Sequence, residues 1–235
     1  MNVKEIKEFR RSYRETAIPT YYSPWFHVIF NFGSTTLLFV FFMFQVQHFA
    51  LWQFLVLIPA FLLANLVEYL LHRFPLHRPY PGLYKYTFVV HQEDHHHFYT
   101  DDLIVYDEPK DWIILFFHPA LVIILAFGVM PFLYVTMKMV LSPDLMYLMM
   151  AGAVLYFIVY EVTHYICHLP DEHWVLRIKY FKLMRKHHMI HHNLTMMTTT
   201  NFNIVFPFWD WVFRTLTFEY PEGKRASIPD SREID

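Results

Sequence analysis

The sequence predicts an all-α membrane protein in which four transmembrane helices carry a cytosolic helical cap with a histidine-rich di-metal site. Three observations support this: long stretches without charged residues, a one-sided distribution of Lys and Arg, and sixteen histidines, most of them in clusters. Hydrophobic residues make up 55% of the 235 residues. Soluble domains are usually less apolar, at roughly 45–50%.

Charge-free stretches define the predicted spans. No Asp, Glu, Lys or Arg occurs between residues 16 and 67, and because one bilayer crossing takes about 20 apolar residues, this stretch holds two spans. We place span 1 near Trp25–Phe44 and span 2 near Phe49–His72. Span 3 falls within Trp112–Met137, and span 4 covers Leu145–His168.

The remaining segments complete one predicted domain, 1–235. Residues 1–15 are charged and predict a short surface helix. Residues 173–192 mix aromatic, aliphatic and basic residues, a pattern typical of a helix lying along a membrane surface. We expect the cap to be built from 73–111 and 169–235.

Positive charge predicts the orientation. Every Lys and Arg except Lys138 lies before span 1, between spans 2 and 3, or after span 4. By the positive-inside rule these segments face the cytoplasm, together with both termini and all the histidine clusters. The membrane is either a bacterial inner membrane or that of the endoplasmic reticulum. A net charge of −2 provides no basic field for nucleic acid.

Ten histidines in four clusters are the predicted metal ligands. The clusters are His72 with His77; His91, His95 and His96; His164 with His168; and His188, His191 and His192. Residues three and four apart share one helix face, so the last cluster directs three rings to one side. Ten imidazoles exceed the needs of one tetrahedral zinc ion and suffice for two metals with about five nitrogens each. Ligand type alone permits zinc, copper, iron or nickel.

Spacing adds a condition and four supporting candidates. His72 and His77 would diverge by about 140° on a straight α-helix, so they need the bend that Pro75 allows. Glu68 and Glu161 each precede a predicted ligand by one helical turn. Each could accept an N–H bond from a ligating ring, or reach interfacial water instead. His97 and His187 adjoin clusters and are further candidates for the same supporting role.

A late aromatic cluster is the predicted substrate-facing surface. It consists of Phe206, Phe208, Trp209, Trp211 and Phe213. We expect these side chains either to cover the histidine site and keep water from it, or to dock at the level of the lipid headgroups.

The histidine pattern resembles the fatty acid hydroxylase/sterol desaturase superfamily, and within it the fatty acid alpha-hydroxylases. The resemblance covers about 60–217 and rests on Glu68-Tyr-Leu-Leu-His72-Arg-Phe, Thr163-His164-Tyr, Lys186-His-His-x2-His-His and Trp209-Asp210 with Phe213. One departure is the second box, His91-x3-His95-His96 followed by His97, where these hydroxylases usually have two intervening residues. The choice between His95/His96 and His96/His97 therefore stays open.

The resemblance implies two iron ions, which zinc can replace on purification, and O2-dependent hydroxylation of a lipid acyl or alkyl chain. A desaturase or a sterol or carotenoid hydroxylase of the same superfamily is the alternative. With five glycines and no Gly-x-Gly-x-x-Gly, the sequence predicts that an external donor of cytochrome or ferredoxin type supplies electrons.

Three other classes fit the sequence less well. A zinc protease requires His-Glu-x-x-His, which is absent. A bis-histidine haem protein needs facing histidines inside the spans, whereas these gather at span ends. A metal-binding or metal-transport membrane protein is the alternative of another class, but the spans lack the polar midplane that transport requires.

Overall fold

A computed structural model describes residues 1–220 of the chain, and these residues are mostly helical. Four helices are long and apolar enough to cross a membrane. These spans are span 1, Pro24–Phe44; span 2, Leu51–Leu76; span 3, Pro119–Met137; and span 4, Pro143–Cys167. An N-terminal helix, Val3–Thr16, precedes them, and the cap contains the helix Lys179–His191, called the histidine helix below.

Short helical pieces complete the cap and the connections. They are Leu83–Phe88, His96–Phe98, Pro109–Asp111, Trp112–Leu115, Trp174–Arg177 and Phe208–Val212. Within 1–220 the single β-type pairing is an isolated antiparallel bridge between Thr100 and Leu103. The prediction of a helical membrane protein with four spans is confirmed.

Span 3 occupies the later part of the charge-free stretch Trp112–Met137, within which it was predicted. Trp112–Leu115 forms a separate helical turn, and the chain is extended at Phe116 (φ −84°, ψ 152°) before span 3 starts. The cause is Pro119, which disfavours helical geometry at the residue before it and suits the first helical position. His118 takes the extended conformation and its side chain accepts the Ala120 N–H, capping the new helix.

Span 4 is the central helix of the bundle. It packs against the other three spans and against the histidine helix. In its apolar stretch 44% of the residues are buried inside the protein, compared with 11% in span 3. The outer faces instead expose large apolar side chains such as Leu37 (72%) and Phe127 (81%). Such exposure is unfavourable in water but matches a lipid surround.

The two ends of the bundle differ in chemistry. At one end the backbone N–H of Gln47, in the turn between spans 1 and 2, donates to Asp144 Oδ1 at 2.8 Å, at the start of span 4. At the other end, spans 2 and 4 finish in His72 and His164, which the cap covers.

Two predicted surface helices are partly buried. The N-terminal helix buries Ile6 and Arg10 against the rest of the protein. The 173–192 helix divides into a short turn and the histidine helix, whose last two turns are buried in the cap, as Met184 and Ile190 show. Its histidines pack into the protein interior, and the prediction that the helix lies along the membrane surface stays a prediction. Residues 221–235 of the predicted cap fall outside the described residues.

Cysteine labelling tests the spans. Single cysteines introduced at Lys110 and at Lys138 lie on the two sides of span 3, so we expect a membrane-impermeant thiol reagent to modify only one of them in sealed, oriented vesicles. The native Cys167 is fully buried, so the unmodified chain provides the background. Labelling of both positions from the same side would contradict the four-span arrangement.

Candidate metal centre

Two π-helical turns bring together histidines that an α-helix would separate. The last turn of span 2, His72–Leu76, is π-helical and contains Pro75, and a second π turn covers Val89–His95. In a π turn the repeat is five residues rather than four, so side chains five apart share a face. His72 therefore lies over His77, and His91 over His96, with ring centroids 5.0 and 4.8 Å apart.

Ordinary α-helical spacing supplies the other histidines. His164 and His168 are one turn apart at the end of span 4, and their Nε2 atoms lie 3.3 Å apart. On the histidine helix His188 and His192 are likewise one turn apart, with 2.9 Å between their Nε2 atoms. Because span 4 packs against the histidine helix, the two pairs meet: His168 Nε2 lies 3.1 Å from His188 Nε2.

The ten predicted ligands form two separate groups of five. The first histidine group is His72, His77, His91, His96 and His191; the second is His95, His164, His168, His188 and His192. Within each group one ring nitrogen per residue lies within 4.8 Å of all the others. With metal–nitrogen bonds of roughly 2.0–2.1 Å, the nitrogens that bind one ion lie about 3–4 Å apart. Each group therefore has the dimensions of a binding site for one metal ion.

Backbone carbonyls fix the protonation state of five of the ten rings. A carbonyl oxygen only accepts, so each Nδ1 that contacts one must carry the ring's proton and leave Nε2 bare. His72 Nδ1 donates to Phe202 O at 2.5 Å and His191 Nδ1 to Thr200 O at 2.9 Å. In the second group the same kind of bond joins His95 to Ile114 O (2.8 Å), His168 to Ile104 O (2.7 Å) and His192 to Tyr99 O.

The result is a set of buried lone pairs directed at one another. The Nε2 atoms of His77 and His191 lie 3.1 Å apart, and because Gln92 Oε1 and Thr200 O take their Nδ1 protons, neither Nε2 has a hydrogen to offer. His95 Nε2 is buried without a hydrogen-bond partner. Such an arrangement is repulsive until a cation occupies it.

Protonation of the rings does not supply this cation at neutral pH. Burial lowers the pKa of His77 and of His95 to about 4, and it lowers the pKa of His96 and His192 well below the ordinary value. Desolvation is the largest cause in each case, because a charged imidazolium loses its hydration in this interior. Neutral rings with bare Nε2 atoms are the form that binds transition metals. The donor set therefore fits a metal ion in each group.

The predicted supporting carboxylates have other partners. Glu68 accepts hydrogen bonds from the backbone N–H of Ile204 and from Tyr156 OH, not from the His72 ring. It thus holds the 202–206 segment whose Phe202 carbonyl orients His72. Glu161 Oε1 accepts from Phe117 N at 3.1 Å. Both carboxylates face backbone amides because ring N–H groups are already taken by nearer carbonyls.

The two remaining supporting candidates separate. His97 lies outside both groups: its Nδ1 bonds to Glu93 O at 2.5 Å and its ring packs on Phe9. In the structure His95 and His96, not His97, therefore enter the groups. His187 is fully buried, with Nε2 3.5 Å from Asp210 Oδ2, and its supporting role stays a prediction.

Sequence reasoning missed two polar side chains of the site. Gln92 accepts the Nδ1 proton of His77; a buried polar residue next to a predicted ligand was its only signal. Asp210 accepts the backbone N–H groups of Phe202 and Asn203 at 2.8 and 2.7 Å, and it appeared only as part of a motif. The carbonyl partners had no sequence signal, since every residue carries a carbonyl.

An apolar cavity of about 270 Å³ adjoins the first histidine group between spans 2, 3 and 4. It runs from His72 and Glu68 at the histidine end to Met137 and Met149. None of the five predicted substrate-facing aromatics lines it, and their substrate-facing role stays a prediction. Trp209 instead donates to Leu62 O at 2.9 Å, and Phe213 stacks on Tyr69, which places the aromatic cluster against span 2.

Fold and site together define an integral membrane protein with a paired polyhistidine centre. The protein belongs to the fatty acid hydroxylase family, whose sequence model matches residues 57–215. The described fold, the spans and the histidine groups agree with the resemblance seen in the sequence.

The comparisons with individual proteins agree. The chain is 31% identical to fatty acid 2-hydroxylase of Rattus norvegicus over 165 residues, covering 69% of this chain and 40% of that protein. It is 30% identical to the dihydroceramide fatty acyl 2-hydroxylase of Arabidopsis thaliana over 151 residues, covering 63% and 55%. The chain thus spans about two fifths of the length of the rat relative.

A solved structure supports the fold. Full-length Scs7p, of which only the hydroxylase domain is visible, superposes with a TM-score of 0.60 at 21% identity. The match covers 83% of this chain and 69% of that one.

Acid should destabilise the metal-free protein. The unfolded chain takes up protons near the ordinary histidine pKa of 6.5, whereas folded His77 and His95 do so only near 4. Their contribution is therefore complete above about pH 6.5 and is lost as the pH falls towards 4, at about 3 kcal/mol each. We expect the thermal unfolding midpoint in detergent to fall across this window.

Two variants check the cause. His77→Gln should flatten that pH dependence, whereas His48→Gln should not, because the His48 side chain is 92% exposed. A midpoint independent of pH in the wild type between about pH 7 and pH 5 would contradict the neutral, buried state of the rings.

Proposed function

We propose that this protein is a di-iron hydroxylase that uses O2 and two external electrons to oxidise a long acyl or alkyl lipid chain near its polar end. One observation carries the proposal: His72 belongs to the first histidine group and also lines the apolar cavity between the spans. A site suited to a redox metal and a space suited to a hydrocarbon chain therefore share a wall.

Each of the two histidine groups would hold one iron ion through its five rings. Bound iron would supply the O2 activation that attack on an unactivated C–H bond requires and that side-chain acid–base chemistry does not provide. The chain's own part is to keep the rings neutral and oriented, through the Nδ1–H bonds to carbonyls described above. Zinc fits the same nitrogens and can replace iron during purification.

The cavity determines which carbon is presented. Its walls are apolar along spans 3 and 4, at Leu133 and Met149 for example, while its polar lining residues are Glu68, His72, Tyr156 and Tyr160. A chain that binds with its tail towards Met137 leaves its head beside the histidines. Burying each CH2 of such a tail contributes about 0.8 kcal/mol.

The electron source and the orientation complete the proposal. An external donor of cytochrome or ferredoxin type would deliver the two electrons. We place both termini and both histidine groups in the cytoplasm, because in the sequence all the Lys and Arg residues except Lys138 occur before span 1, from Arg73 to Lys110, or after span 4. A cytoplasmic site is the one that a soluble or membrane-anchored donor can reach.

Lipid analysis tests the reaction. Expression in a host that lacks such an enzyme, followed by mass spectrometry of hydrolysed lipids, should reveal fatty chains with one added oxygen on the carbon next to the carboxyl or headgroup. The double variant His188→Ala/His191→Ala, which removes a ligand from each group, is the inactive control. Loss of two hydrogens in mid-chain, or products found only among sterols or carotenoids, would contradict the proposal.

The same assay tests the role of the cavity with a matched pair. Ala153 lines the cavity on span 4, about 16 Å along the helix from His164, whereas Leu155 is 41% exposed on its outer face. Ala153→Phe would displace two or more CH2 groups of a bound tail, which reduces turnover of the longest chains about tenfold. Leu155→Phe should leave the chain-length profile unchanged, and equal effects of both variants would place the substrate elsewhere.

A further inference from the structure

One buried arginine attaches the N-terminal helix to the cap. The Arg10 side chain is 2% exposed and its guanidinium reaches three backbone carbonyls: Nε donates to Phe98 O at 2.7 Å, Nη1 to Val105 O at 3.0 Å, and Nη2 to Leu103 O. Nη1 also contacts Asp107 Oδ2 at 3.1 Å. A guanidinium has the five-donor planar fork that such a cluster of acceptors requires.

The carbonyls belong to a small hairpin and to the helix end that precedes it. Thr100 and Leu103 pair across the turn of the hairpin. Tyr99 lies on the first arm, directly after Phe98 at the end of the helix His96–Phe98, and Ile104 and Val105 lie on the second arm. Successive carbonyls in extended backbone point in opposite directions, and Tyr99 is extended (φ −115°, ψ 98°). The hairpin therefore has one carbonyl face towards Arg10 and another away from it.

The face away from Arg10 contacts the second histidine group. Tyr99 O accepts the Nδ1 proton of His192, and Ile104 O accepts that of His168 at 2.7 Å. The Tyr99 ring also packs on the His168 ring, with centroids 4.5 Å apart. Two ligands of one group thus depend on the hairpin for their orientation.

Three of the five histidines of the first group take their orientation from other parts of the chain. His72 and His191 donate to Phe202 O and Thr200 O, and His77 donates to the Gln92 side chain. The carbonyls of Phe202 and Thr200 belong to a segment held by Glu68 and Asp210 rather than by the N-terminal helix.

We propose that Arg10 is a positioning residue for metal binding by the second histidine group alone. By clamping Phe98, Leu103 and Val105 it fixes the alternate carbonyls of Tyr99 and Ile104, and through them His192 and His168. Arg10 lies outside the 57–215 region that matches the family, so this support comes from the chain's own N-terminal helix. The inference rests on the proposed function in one respect, that each group binds a metal ion.

The experiment measures Zn²⁺ affinity at each group separately, by competition with a chelator, in purified full-length protein. His72→Ala/His191→Ala removes two ligands from the first group and leaves the second; His188→Ala/His192→Ala does the reverse. On the first background Arg10→Gln should weaken the remaining site about 10–100-fold, the effect usual when support of a ligating histidine is lost. On the second background the same substitution should leave the affinity unchanged.

Arg14 provides the matched control for helix docking. It lies one turn further along the same helix and bonds to Asp111 and Asp107 side chains rather than to hairpin carbonyls. Arg14→Gln should lower the thermal unfolding midpoint and leave both zinc affinities unchanged. If it weakens the second site as much as Arg10→Gln, general docking of the helix explains the effect and the proposal is overturned.

The outcomes distinguish a failure of the two-metal proposal from a failure of the Arg10 inference. If the paired histidine variants do not each leave one zinc equivalent, the two-metal proposal fails whatever Arg10 does. If they do, but Arg10→Gln weakens the first site equally or leaves the second unchanged, only the Arg10 inference fails. Should Arg10→Gln give no folded protein, Arg10→Lys keeps the charge without the fork, and wild-type affinity at the second site in that variant overturns the inference.

Discussion

The bond from a ring Nδ1–H to a backbone carbonyl is the interaction on which the site depends. It settles which nitrogen carries the proton, so the bare Nε2 atoms converge in the buried interior, as in the 3.1 Å approach of His77 and His191. An unsatisfied buried polar atom costs about 1–3 kcal/mol, and convergence adds repulsion. The helices must tolerate that cost until a cation offsets it, so metal binding and folding stability are linked.

The spans place this chemistry where an apolar substrate can reach it. Span 4 contacts every other span and ends in His164 and His168, while span 2 ends in the π turn that carries His72. The apolar cavity lies between these two helices and span 3. A bilayer-dissolved chain and a water-excluded histidine site can meet at this end of the bundle without the chain leaving an apolar environment.

The four spans and two of the histidine pairs were predictable from residue patterns that have a direct physical cause. Long charge-free stretches indicated the four spans, and i, i+4 spacings indicated the shared faces of His164 with His168 and of His188 with His192. The prediction that His191 directs its ring to the same side as these last two is wrong, because His191 belongs to the first histidine group. Two metals with about five nitrogens each were predicted, but the assignment of each histidine to its group was not predictable, because it depends on π turns at His72–Leu76 and Val89–His95. Pro75 indicates the first turn, but the second has no comparable residue.

The other differences have a common origin in tertiary contacts. Glu68 and Glu161 were expected to accept hydrogen bonds from histidine rings. Instead they accept from the backbone amides of Ile204 and Phe117, and the Nδ1–H of His72 donates to a backbone carbonyl. The late aromatic cluster was expected either over the site or at the level of the lipid headgroups, and it packs on span 2 through Trp209. Arg10, in a segment that looked solvated, is buried because three carbonyls of a distant hairpin surround it. Local sequence does not specify such partners.

Anomalous diffraction from crystals of iron-loaded protein, recorded on both sides of the iron absorption edge, tests the central claim most directly. The structure predicts two iron peaks per chain, one among the Nε2 atoms of the first histidine group and one among those of the second. A single peak, no peak in a folded protein, or iron held by Glu68 or Glu161 in place of the rings would contradict the two-group metal centre.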